Sequence, residues 1–115
     1  MKPTHWERLL ATAQKVIDET IAEMPPEVAA VARQVPVLFE KEFAEDPEIM
    51  GHYGNFEPGE ISEASGPITL YLGAIEAFCL DEGEDFATEV GITYLHELGH
   101  HLGFDENDLE ERGLE

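Results

Sequence analysis

Little in this chain is basic. Six Lys and Arg stand against 26 Asp and Glu, a formal net charge of −20 over 115 residues. Such a surface repels phosphate backbones and anionic bilayers, so neither nucleic acid nor a membrane is expected as a partner. Divalent cations and basic peptides are attracted instead. The same charge would also serve solubility alone, or a saline or hot habitat.

Cysteine is almost missing too. With Cys79 alone, no intrachain disulfide and no four-cysteine zinc site can form. "EAFCLDE" reads as a buried thiol, because a reactive one needs positive neighbours and these are acidic. Long apolar runs are absent as well. The N-terminus "MKPTHWERLLATAQ" lacks a signal-peptide core and no stretch is long enough for a bilayer, which makes the cytoplasm the default compartment. Repeats and low-complexity segments are lacking, so residues 1–115 read as one domain. Its core is adequate, since 43% of residues are apolar and 6 Phe, 3 Tyr and 1 Trp are among them.

What is present has clear periodicity. Thr4 with Glu7 makes a capping box, and Trp6, Leu9, Leu10, Ala13, Val16, Ile17, Ile21 and Met24 recur at helical spacing behind it. The prolines at 25 and 26 end that helix, and "PEVAAVARQV" starts a second at Pro26. "VPVLFEKEFAE" alternates like a half-buried strand. "IMGHYGNFEPGE" suggests a second short strand entering a loop, residues 67–72 a third, and the stretch after Gly73 a helix. "EDFATEVGITYLHELGHHL" should be a long helix ended by Gly103 in a left-handed cap. His5, in a first turn, is expected to be solvated.

That last helix carries the chemistry. His96-Glu97-Leu98-Gly99-His100 is an HExxH pentapeptide. Four residues advance a helix by about 6 Å and slightly more than one turn, so both imidazoles point the same way and can share one zinc. Glu97 is rotated off that row, beside the metal, where it can take a proton from water and pass it on. A stripe of Ile92, Leu95, Leu98 and Leu102 is expected to dock the helix on the sheet. Gly99 would leave room beside the site. His101 is expected to face solvent.

A catalytic zinc takes three protein ligands and keeps one position open. Only 15 residues follow His100, which favours a near ligand beyond the Gly103 turn. "HELGHHLGFDE" is HExxHxxGxxE, with Glu106 ten residues after His96 as first choice. Asp105 competes with it, and Asp108 and Glu110 stand behind. Metzincins place a histidine at that position, and a carboxylate is an equally accepted zinc ligand.

On these residues the chain resembles the minimal zincin-like metallopeptidases, which carry HExxHxxGxx(D/E) and no Met-turn. "VPVLFEKEF", "MGHYGNF" and "PITLYLGAIEAF" resemble further segments of that family. No methionine follows the motif here either. The resemblance implies an α+β fold: N-terminal helices, a small mixed sheet and a C-terminal helix carrying HExxH. It also implies one zinc ion on His96, His100 and the carboxylate at position 106, where Glu replaces the more usual Asp. The activity implied is zinc-dependent peptide hydrolysis by metal-activated water, with Glu97 as general base.

The substrate would be a peptide or protein, a basic one being favoured by charge, paired with an edge strand placed at residues 67–72. Tyr53, Tyr71 and His52 are oxyanion-stabilising candidates by residue type. Two other functions compete. One is a metal-binding scaffold or regulator with little turnover, since so small a domain leaves little room for side-chain pockets. The other is a metal-dependent nuclease, which the negative charge disfavours.

Overall fold

The computed structural model describes residues 2–54 and 67–102. Helix α1 (His5–Ala22) starts at the expected box: the Thr4 hydroxyl accepts from the Glu7 N–H, and the Glu7 carboxylate accepts from the Thr4 N–H. These bonds hold the Glu7 carboxyl below its ordinary range. Leu9, Ala13, Ile17 and Ile21 form the buried face of α1, with Trp6, Leu10, Val16 and Met24 packed at its margins. Helix α2 (Pro26–Gln34) begins at the second proline, whose missing N–H costs nothing in a first turn.

Strands β1 (Val37–Glu40), β2 (Gly51–Tyr53) and β3 (Ile68–Tyr71) form a mixed sheet in the order β1-β3-β2. β1 runs parallel to β3, pairing Val37 with Ile68 and Glu40 with Tyr71. β2 runs antiparallel to β3, pairing Gly51 with Leu70 and Tyr53 with Ile68. β3 is therefore the central strand, which corrects the expectation that residues 67–72 form an edge. All four of its residues are buried, as a central strand covered on both faces requires.

The registers sort the faces. Val37, Phe39, Ile68, Leu70, Gly51 and Tyr53 share one, and Leu38, Glu40, Thr69, Tyr71 and His52 the other. Phe43 covers part of the second, its ring 5.8 Å from that of Tyr71 and 5.9 Å from that of His52.

Helix α3 (Leu72–Glu82) follows β3 directly and so takes in Gly73, where a start after that glycine was expected. The Gly73 and Ala74 N–H groups both donate to the Lys41 carbonyl, at 2.9 and 3.2 Å. That carbonyl, just past β1, thus satisfies two otherwise orphaned donors of the first turn. Gly83, at φ +69°, ends α3 in the left-handed conformation.

Helix α4 (Phe86–His101) is capped by Asp85, whose carboxylate accepts from the Thr88 N–H. It crosses β2 and β3 and packs along α1. Its buried face is Val90, Thr93, Tyr94, Glu97, Leu98 and Gly99, while Ile92 and Leu95 are half-buried and Leu102 is exposed. Of the expected docking stripe only Leu98 is a core residue. The helix is turned so that Gly91 meets Val16 of α1 and Thr93 meets Gly51 of β2.

The fold is α+β, with four helices and a three-stranded mixed sheet among the described residues. No described helix is long and apolar enough to cross a membrane. Cys79 is buried as expected, and burial with its acidic neighbours raises its pKa.

Candidate metal and active site

Helix geometry alone leaves two i,i+4 histidines free to splay. Here they converge: the His96 and His100 Nε2 atoms lie 3.3 Å apart, with ring centroids at 4.9 Å and planes at 79°. A hydrogen bond between them would be long, because N–H donors favour about 2.7–3.2 Å. Two nitrogens on one tetrahedral zinc, each at about 2.0–2.1 Å, stand about 3.3–3.4 Å apart. The pair therefore fits a shared tetrahedral ion on its own geometry. Both rings are half-buried, so a bound ion would be partly shielded while still reachable.

Glu97 is 7% exposed yet lines a cavity of about 490 Å³ together with His96. Other walls come from Ile49 and Met50 before β2, Gly51 in it, Phe78 on α3, and Glu89, Ile92 and Thr93 on α4. The cavity is thus built where α4 crosses the end of β2. A side chain at position 51 would fill this junction, since a Cβ there would stand 2.8 Å from Thr93 Cγ2. The glycine lets strand and helix close together beside His96.

Among the described residues no group of three or more His, Cys, Asp or Glu is placed to hold a metal. Glu106, Asp105, Asp108, Glu110 and the Gly103 turn lie outside the described residues. The histidine pair is therefore assembled, and the proposed third ligand falls on a segment with no structural description.

The oxyanion candidates are engaged with each other or with the motif helix. The Tyr71 hydroxyl lies 2.8 Å from His52 Nδ1 on the sheet face away from α4. Burial pushes the His52 pKa down and that of Tyr71 up. The Tyr53 hydroxyl lies 2.7 Å from His101 Nδ1, with the two rings edge-to-face at 5.3 Å. His101 is therefore half-buried and tied to β2, where solvent exposure was expected. His5 is exposed, and its Nε2 lies 2.7 Å from a Glu76 carboxylate oxygen.

Sequence reasoning missed Glu89 and Thr93 as residues of the site. Glu89, Thr93 and Glu97 follow one another at four-residue spacing, a signal open to any helical reading.

A helix that presents two converging imidazoles and a buried carboxylate beside a mixed sheet is the framework of a metal-dependent hydrolase. This chain belongs to the zincin-like metallopeptidase family, whose model matches residues 18–114. No curated protein matches the chain. Family membership makes zinc the expected metal and peptides the expected substrate class.

Proposed function

We propose that this protein is a zinc-dependent peptidase, acting as one domain, in which His96, His100 and Glu106 hold the metal and Glu97 is the general base. The observation that supports it most is the 3.3 Å approach of the two Nε2 atoms beside a buried carboxylate at a cavity wall. A bound zinc would supply Lewis acidity, polarising the scissile carbonyl and lowering the pKa of a water molecule.

The chain's own residues do the rest. Glu97 accepts a proton from the attacking water and returns it to the leaving amine. Its burial excludes bulk water from that transfer and limits the carboxylate's freedom. β2 orients the peptide. Its bonds to β3 fall at Met50, which accepts from the Tyr71 N–H, and at Gly54, which donates to the Pro67 carbonyl. Antiparallel alternation then turns the Gly51 and Tyr53 backbone groups toward the other edge, where no strand lies among the described residues. Gly51 also lines the cavity, so an extended chain paired there runs past His96 and Glu97.

The scaffold alternative was motivated by the scarcity of pockets in so small a domain. A cavity of about 490 Å³ beside the motif weighs against it, being within the range of small-molecule sites.

Metal analysis and a mixed-peptide digest test the reading. Native protein should carry one divalent ion per chain and cleave, and Glu97→Gln should keep the ion and lose cleavage. Equal cleavage by both proteins removes Glu97 from its role. For the third ligand, Glu106→Ala should weaken zinc binding more than Asp105→Ala, and the reverse order would reassign the ligand.

A further inference from the structure

We propose that the cavity beside His96 and Glu97 takes a lysine or arginine side chain of the substrate, selected by Glu89. This rests on the peptidase reading and assigns its substrate class. The cavity has apolar walls in Ile49, Met50, Phe78 and Ile92, and a carboxylate in Glu89. Glu89 lies seven residues before His96 on α4, about 10 Å along the helix axis. A lysine side chain reaches about 6 Å from Cα to Nζ over five bonds. With the scissile bond level with His96, its ammonium comes within about 4 Å of the Glu89 level, a gap Glu89's own side chain can close.

The match is chemical as well as metric. The methylene stem would lie along Ile49, Met50 and Ile92, as long cationic side chains commonly do on apolar surface. Phe78 is 36% exposed, an aromatic wall over which a cation is attracted. Among the described residues the Glu89 carboxylate has neither a hydrogen bond nor an ion pair. Burial, with a smaller contribution from Glu84, pushes its pKa up. A cation in the cavity would compensate that half-buried charge. A neutral side chain would leave it uncompensated, and an acidic one would be repelled. The net charge of −20 would concentrate basic peptides near the molecule beforehand.

The test reads binding separately from turnover. Blocked tripeptides with a central lysine, norleucine or glutamate are titrated into zinc-loaded protein and followed by NMR. The same residues are varied in a cleavage library. Lysine should bind about tenfold more tightly than norleucine, a modest value for a hydrogen bond to a charged group. Glu89→Gln should bring that ratio close to one with the fold intact, and Glu89→Lys should turn the preference toward glutamate. Equal binding of lysine and norleucine by native protein, or a lysine preference that survives Glu89→Gln, overturns the assignment. Cleavage without basic preference sinks the pocket assignment and spares the peptidase. Lysine-selective binding without any cleavage does the reverse.

Discussion

Gly51→Ala tests whether the contact between β2 and α4 holds the site together. The new methyl would stand 2.8 Å from Thr93 Cγ2, 3.2 Å from the Thr69 carbonyl oxygen and 3.3 Å from Leu70 Cδ2. Carbon atoms attract best at about 3.5–4.0 Å, so the first contact is roughly 1 Å too close. Overpacking of this kind costs about 1–3 kcal/mol. Thr93 can answer by changing rotamer, since threonine in a helix has two usable wells. Alanine also recovers about 0.5–1 kcal/mol of the entropy that glycine loses in a strand. The expected net loss is therefore about 1–2 kcal/mol, or a fall in Tm of about 5–10 °C for a chain of this size.

Thr93→Ser supplies the control, because it removes the colliding methyl and keeps the hydroxyl. Alone it should cost about 0.8 kcal/mol for one lost buried methyl. Combined with Gly51→Ala it should recover stability, giving a coupling of about 1–2 kcal/mol. Urea denaturation of the four proteins, at constant m, measures the cycle. Zinc affinity should follow the same pattern, since Thr93 lies one turn before His96 and Glu97. Additive losses, or a harmless Gly51→Ala, would refute the close approach as the reason for glycine.

Three further substitutions probe the frame around the site. Gly73→Ala would place Cβ 2.6 Å from the Lys41 carbonyl oxygen. It should cost about 2–3 kcal/mol in urea denaturation through two weakened hydrogen bonds and strain. Gly91→Ala meets Val16 Cγ1 at 3.4 Å and Thr20 Oγ1 at 3.9 Å, both ordinary contacts, so helix propensity should dominate and raise stability by up to about 1 kcal/mol. Burial lowers the His52 pKa below 6.5 in the folded chain. Its contribution to stability is thus complete above about pH 6.5 and is lost as pH falls through the folded value. Between pH 7.5 and 5 native protein should lose more stability than His52→Gln, and equal losses would show that His52 is not the group responsible.

What could be read from the sequence was local. The Thr4–Glu7 box, the start at Pro26 and the direction of the two motif histidines each follow from residues within four positions of one another. What could not be read depends on partners far along the chain. The expected edge at residues 67–72 became the centre because β1 and β2 both pair with it. The continuous run in "ITLY" was the available sign, since a strand with one wet face would alternate.

Leu95 and Leu102 were assigned to the core on hydrophobicity, yet the helix buries Thr93 and Glu97 instead. One close approach bears on its rotation, Gly51 against Thr93, where a Cβ would stand 2.8 Å away and a larger residue would prevent the contact, while Gly91 leaves ordinary contact distance to Val16. With that rotation Glu97 and His96 line the same cavity as Glu89. Gly51, which carries no chemistry, therefore bears on which face of the motif helix lines the cavity. Replacing Gly51 should disturb metal binding and peptide selection together, whereas replacing Gly91, Leu95 or Leu102 should disturb neither.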